Sequence, residues 1–341
     1  MIGRAATRLL DAPRFGPEEA GLKAAVDALG GEVIRLRSRD GLKLSARWLP
    51  VDAGAADSAA AAGGAAWRPD PYEAILLLHG WTGSVAPDLV ELGPTLRRTA
   101  GVLGLDFRGH GGSDDAPTTF GLHEIDDVAG ALGWLGERGI RRVALAGSSM
   151  GGVVAIAAIV VLGDGSLVQA DLDPTAPAAA VEAPRPRIVG AVVESVAPDL
   201  RIPIANRMGL PIGGILRRML AGRMFRVAGR RVGGDLRATE PGRIVGLVEP
   251  VPLLLVHGGA DRTVRPADGR RLAALSGPSA EHWEVPGAGH GQARRAAPAQ
   301  WDERVSAFLR SAFTGAREVV PIIHGSVEPT ADSDSRGLEG D

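Results

Sequence analysis

The sequence predicts an α/β protein with a mostly parallel central sheet, helices on both of its faces, and an antiparallel hairpin at its start. Two observations carry this. From Ala74 onward, apolar runs of strand length alternate with longer helical stretches, the pattern of repeated βαβ crossovers. Ahead of them, Asp40-Gly41 sits between two runs of strand character, where Asp-Gly signals a tight turn. The 341 residues suffice to bury a substantial core in one large domain.

Residues 1–31 read as an N-terminal extension, and residues 32–314 as the α/β domain. The extension, "MIGRAATRLLDAPRFGPEEAG", carries basic residues but no apolar core of signal-peptide length, so a cytoplasmic protein is expected. Strands are expected over 32–37 and 42–49 for the hairpin, then over 74–78, 101–106, 142–146, 188–194, 251–256 and 281–285. Helices are expected over 87–99, 122–136, 150–162, 266–275 and 292–313. The Ala/Gly-rich stretch before Tyr72 and the Ala/Pro/Asp-rich stretch 163–186 read as surface loops. Residues 197–247 form a longer excursion between two strands and read as a small cap insertion. From residue 315 the periodicity is lost, and "PTADSDSRGLEGD" has the composition of a disordered tail.

Composition narrows the function classes. A net charge of −2 gives no overall bias toward nucleic acid or an anionic membrane, and neither is expected as a partner. The absence of cysteine excludes disulfides, thiolate catalysis and Cys-ligated zinc. No two histidines stand at the i, i+4 spacing of a helical metal site.

The chemistry begins at Gly147-Ser148-Ser149-Met150-Gly151. The apolar run Val143-Ala144-Leu145-Ala146 precedes it, and an apolar stretch too long for a buried strand follows. The pattern G-x-S-x-G between strand and helix gives a sharp turn that exposes the central hydroxyl, and its register selects Ser149. Such a serine needs a base, an acid to orient that base, and donors for a developing oxyanion. His290, in the glycine-rich loop Gly287-Ala288-Gly289-His290-Gly291 after the last strand, is the candidate base. Asp261, just past the 251–256 strand, is the candidate acid, and Glu194 at the end of the preceding strand is its competitor. The order Ser149, Asp261, His290 is the Ser…Asp…His order that accompanies this turn. His123, His257, His282 and His324 read as structural.

Together Leu78-His79-Gly80-Trp81, Asp106-Phe107-Arg108-Gly109-His110-Gly111-Gly112-Ser113, Gly147–Gly151, Gly259–Val264 and Gly287–Gly291 resemble an α/β-hydrolase-fold serine hydrolase. The opening "RSRDGLKLSARWLP" and the short cap further resemble the serine-aminopeptidase-like or Bem46-like branch. The resemblance implies an esterase-like enzyme without a cofactor or metal, acting on a small-molecule acyl substrate. It also implies that the backbone N–H groups of Trp81 and Met150 form the oxyanion hole. For Met150 the position at a helix start agrees, since first-turn N–H groups are unpaired there. Two alternatives stay open: an acyltransferase or perhydrolase with the same three residues, and a non-catalytic ligand-binding or signalling protein on this fold.

The cap segment is basic, with ten arginines between Arg201 and Arg243 against Asp235 and Glu240. Leu216, Met219, Leu220 and Phe225 are interleaved, as in an amphipathic helix. Three readings fit: a covering helix with a solvated basic face, an apolar wall for an acyl chain, and contact with anionic lipid. On the second, these side chains would select medium-length acyl groups.

Overall fold

The Asp40-Gly41 turn joins β1 (Glu32–Arg37) to β2 (Lys43–Leu49) as an antiparallel hairpin, with Leu36 opposite Leu44. The hairpin leads into an eight-stranded sheet of order β1-β2-β4-β3-β5-β6-β7-β8. The remaining strands are β3 (Glu73–Leu78), β4 (Gly101–Leu105), β5 (Arg142–Ser148), β6 (Arg187–Glu194), β7 (Leu253–Gly258) and β8 (Ala280–Val285). From β4 to β8 along the sheet all neighbours are parallel, and the antiparallel pairings are β1 with β2 and β2 with β4. The structure is a computed structural model describing residues 2–11, 19–52, 67–81, 83–163, 185–208 and 212–318.

Helices α1 (Ile2–Leu10) and α2 (Glu19–Ala28) precede the hairpin. The central strands are connected by α3 (Ala86–Leu96), α4 (Glu124–Glu137) and α5 (Met150–Leu162). Between β6 and β7 lie α6 (Arg201–Arg207), α7 (Gly214–Val232) and the single turn α8 (Pro241–Ile244). Then come α9 (Pro266–Leu275), the short α10 (Ala293–Ala296) and α11 (Pro298–Glu318).

The strand pleat sorts side chains into two cores. On β3, Ala74, Leu76 and Leu78 face the core shared with α4 and α5, while Ile75 and Leu77 face the core of α3 and α11. Such two-sided burial explains why the central strands read as continuous apolar runs. Helix α5 is buried from Met150 to Ile159, as its apolar sequence requires.

Three features differ from the sequence expectation. Helices α1 and α2 fill the N-terminal extension, where none was expected. Ala6, Leu9 and Leu10 form a buried stripe on α1 that packs along α7. The helix expected over 292–313 is broken between α10 and α11, because Pro298 disfavours helical backbone at Ala297, which sits at φ −141° and ψ 66°. Helix α11 also continues to Glu318, past the point where the tail was expected to begin. The tail from residue 319 with His324, and most of the two expected loops at 53–66 and 164–184, lie outside the described residues.

Candidate active site

Ser149 occupies the turn between β5 and α5 with φ 52° and ψ −113°, backbone angles that are costly for any residue with a Cβ. The flanking glycines make the turn possible. A Cβ on Gly147 would fall 2.5 Å from the Gly151 carbonyl oxygen, and one on Gly151 would fall 2.0 Å from that of Leu78. The turn is pinned from both sides: Ser149 N–H donates to the Glu194 carbonyl at 2.8 Å, and Ser149 C=O accepts the first helical bond from Val153 N–H.

His290 reaches this serine from the loop after β8. Its Nε2 lies 3.0 Å from Ser149 Oγ and its Nδ1 lies 2.8 Å from Asp261 Oδ2. With an ionised Asp261 accepting at Nδ1, that nitrogen carries the proton and Nε2 is free to accept from the hydroxyl. The second Asp261 oxygen accepts from the backbone N–H groups of Thr263 and Val264 at 2.8 and 2.9 Å. Burial pushes the Asp261 carboxyl up, but the bonds from His290, Val264 and Thr263 outweigh it and hold it below the usual carboxylate range. Asp261 therefore stays charged at neutral pH.

Glu194, the competing acid, is occupied elsewhere. Its Oε1 accepts from Ala293 N–H at 2.8 Å, at the start of α10. Burial, with Asp88, Glu91 and Asp261 close by, pushes it up to about 7 against the pull of that N–H. Its neighbour Ser195 accepts the Gly291 N–H on its hydroxyl at 3.0 Å. Glu194 and Ser195 thus fix the loop on the far side of His290. The sequence pattern did not mark Ser195, although it directly follows a strand end.

Three other histidines are held by backbone groups. His79 is fully covered, donates from Nδ1 to Gly80 C=O at 2.7 Å and accepts Phe107 N–H on Nε2 at 3.1 Å. His110 Nδ1 contacts Arg108 C=O, and His257 Nε2 donates to Val264 C=O at 2.8 Å. His123 stands at the N-cap position of α4 without a side-chain capping bond, and His282 lies half-buried on β8. Asp114 accepts Lys43 N–H in the hairpin contact.

A small cavity, open to solvent, begins at Ser149. Trp81 and Met150 line it beside the serine, so both expected oxyanion residues border the space where a carbonyl would sit. Its wall is mostly apolar, from Phe120, Val153, Ala197, Leu200, Pro203, Ile204 and Val264, with Ser195 and Arg207 as polar members. Leu216, Met219, Leu220 and Phe225, the side chains expected to form that wall, are not among the lining residues. Leu216 and Met219 point outward, and buried Phe225 packs on Phe120, ring centroids 5.6 Å apart, one residue behind the cavity surface. The cap's share of the wall comes instead from α6 and the loop before it. The sequence directs attention to the longer helix because its apolar residues are more numerous.

Phe120, Ser149 and Ser195 are the non-glycine residues with positive φ among the described residues, and all three border this cavity. Backbone strain of this kind persists where surrounding structure enforces it, and it concentrates at functional sites.

Comparison with known proteins agrees with the architecture. The chain is 25% identical over 253 residues to the uncharacterized protein YfhR of Escherichia coli O157:H7, covering 73% of this chain and 70% of that protein. Its fold is similar to that of the Pyrococcus furiosus esterase Pf2001, with a TM-score of 0.59 at 21% identity over 89% of this chain and 98% of that one. It is also similar to a malate-bound esterase from Thermogutta terrifontis, with a TM-score of 0.52 at 16% identity over 82% of this chain and 99% of that one. Among the described residues no helix is long and apolar enough to cross a membrane. The sequence profile of the alpha/beta hydrolase family matches residues 75–307, most of the chain, and the protein belongs to that family.

Proposed function

We propose that the protein is a serine hydrolase that cleaves carboxylic esters, with thioesters and amides as related acyl donors, through an acyl-Ser149 intermediate. The observation that carries this reading is the unbroken relay from Asp261 Oδ2 through His290 to Ser149 Oγ, at 2.8 and 3.0 Å, ending on a strained serine at the base of an apolar cavity. The fold similarity to proteins described as esterases supports it.

Ser149 Oγ attacks the substrate carbonyl carbon as its proton passes to His290 Nε2. The carbonyl oxygen becomes an oxyanion facing the backbone N–H groups of Met150 and Trp81. Those of Met150 and the following residues lie in the first turn of α5, where no intrahelical acceptor exists and the helix dipole is positive. When the C–O bond breaks, the leaving alcohol takes the proton from Nε2 and the acyl group stays on Ser149. Water then gives a proton to Nε2 and attacks the acyl carbon, and Ser149 leaves with that proton. Asp261 remains ionised and stabilises the imidazolium formed in each half. The unit performing this is residues 32–314, with 197–247 as its cap.

Treatment with a fluorophosphonate probe followed by peptide mapping tests the reading. Labelling is expected on Ser149, and Ser149→Ala is expected to abolish both labelling and turnover of p-nitrophenyl esters with the fold intact. Undiminished turnover in folded Ser149→Ala protein would overturn it.

A further inference from the structure

Helix α7 is amphipathic in an unusual sense. Ala221, Phe225, Ala228 and Gly229 form its buried face. The opposite face carries Ile215, Leu216 and Met219 in the first two turns, then Arg223, Arg226 and Arg230 further along. Ile215 is 81% exposed and Met219 62%, both unusual for apolar side chains on a helix with a well-packed inner side. Helix α1 lies alongside, with Arg231 reaching the Thr7 hydroxyl and with Arg4 and Arg8 exposed. The two helices hold eight arginines and no acidic side chain, in a chain whose net charge is −2. Elsewhere in the cap, Arg201 is paired with Asp199 and Arg237 with Glu240. Arg218, Arg223, Arg226 and Arg230 have no carboxylate partner among the described residues.

We propose that the outer face of α7 with α1 is a docking surface for an anionic lipid bilayer, onto which the protein settles as a peripheral, not a spanning, protein. Charge complementarity selects the occupant. A second copy using the same face would set unpaired arginines against arginines. A nucleic acid would find guanidinium groups but no exposed aromatic platform for its bases, since Phe225, the aromatic residue of α7, faces inward. An anionic bilayer satisfies both halves of the face: lipid phosphates meet Arg223, Arg226 and Arg230, while Ile215, Leu216 and Met219 enter the boundary of the acyl region. The inner side of the same helix touches the acyl cavity through Phe225 and Phe120, so docking would set the cap and the cavity beneath it at the lipid surface.

The inference is independent of turnover, since binding can be read on Ser149→Ala protein. Co-sedimentation of the full chain with phosphatidylcholine vesicles containing about one-third phosphatidylglycerol is compared with pure phosphatidylcholine vesicles. Binding is expected only with the anionic lipid and should weaken as salt rises. Replacing Arg223, Arg226 and Arg230 together by Gln should lower the partition coefficient by about a hundredfold. Ile215→Ser with Met219→Ser should lower it several-fold while keeping the salt dependence. All five positions are exposed, so thermal unfolding of both variants should match that of the parent. Equal binding to both vesicle types, or undiminished binding by either variant, would overturn the proposal. So would a dimer dissolved by Ile215→Ser with Met219→Ser, or tighter binding to a single-stranded oligonucleotide than to the anionic vesicles.

Discussion

Gly151 passes so close under β3 that a Cβ built on it would lie 2.0 Å from the Leu78 carbonyl oxygen, whereas one on Gly80, across the turn, would lie 3.6 Å from its nearest neighbours. Both glycines sit within one turn of Ser149, yet only one is required by contact. Gly151→Ala is expected to cost a few kcal/mol, because the obstacle is backbone and cannot rotate aside. Gly80→Ala should cost less than about 1 kcal/mol. Denaturant unfolding of the two variants checks this, and equal stabilities would show that the turn has slack the distances deny.

Asp261 and Glu194 give a second contrast, because they lie just past β7 and at the end of its neighbour β6, but only Asp261 bonds to His290. Asp261→Asn should lower kcat by up to about 10⁴-fold, the scale seen when the orienting carboxylate of a serine protease is replaced. Glu194→Gln keeps an oxygen for Ala293 N–H and should cost no more than about tenfold, the scale of one weakened hydrogen bond. A reversed order in steady-state kinetics would assign the acid to β6.

On the proposed reading, the cavity wall is what selects the acyl chain. Each methylene buried there contributes about 0.8 kcal/mol, so kcat/KM should rise by up to about 15-fold per added carbon pair until the cavity is filled. Ile204→Ala, on the wall, should change this series, while Met219→Ala, facing outward, should leave it untouched. The p-nitrophenyl acetate to octanoate series, measured below micelle-forming concentrations, reports both. An effect of Met219→Ala equal to that of Ile204→Ala would move the acyl site to α7.

His79 makes stability depend on pH. Burial first, then the neighbouring His110, pushes its imidazole down to about 3 from an ordinary 6.5, against the bond to Gly80 C=O. Below pH 6.5 the unfolded chain takes up a proton that the native state refuses, so the contribution is complete above 6.5 and is lost as pH falls toward 3. By about pH 4.5 the loss should reach about 3 kcal/mol. The gap in Tm between the parent and His79→Gln, which keeps an acceptor for Phe107 N–H, should therefore shrink from about pH 8 to about pH 4.5. A gap independent of pH would refute the assignment.

The site was legible in the sequence to the extent that its chemistry is local. Ser149, Asp261 and His290 each lie within a few residues of a strand end, with glycines nearby that a sharp loop requires, and a strand end is visible in a linear pattern. The cap was not legible in the same way. Helix α7 carries apolar residues on two faces, and composition alone does not say that Phe225 turns inward while Ile215 and Met219 turn outward. The cavity wall belongs partly to α6, only seven residues long and containing Pro203, too short for periodicity to mark. Helix α1 escaped because its apolar stripe is completed by α7, about 200 residues later, and nothing nearby in the sequence announces that partner.

That long separation has a consequence for synthesis. The stripe of Ala6, Leu9 and Leu10 leaves the ribosome well before α7 exists to cover it. At about 5–20 residues per second, the roughly 200 intervening residues take about 10–40 s to make, during which this apolar stripe stands unshielded on a nascent chain. Chaperone engagement is therefore expected to concentrate on this first helix and to end when α7 emerges.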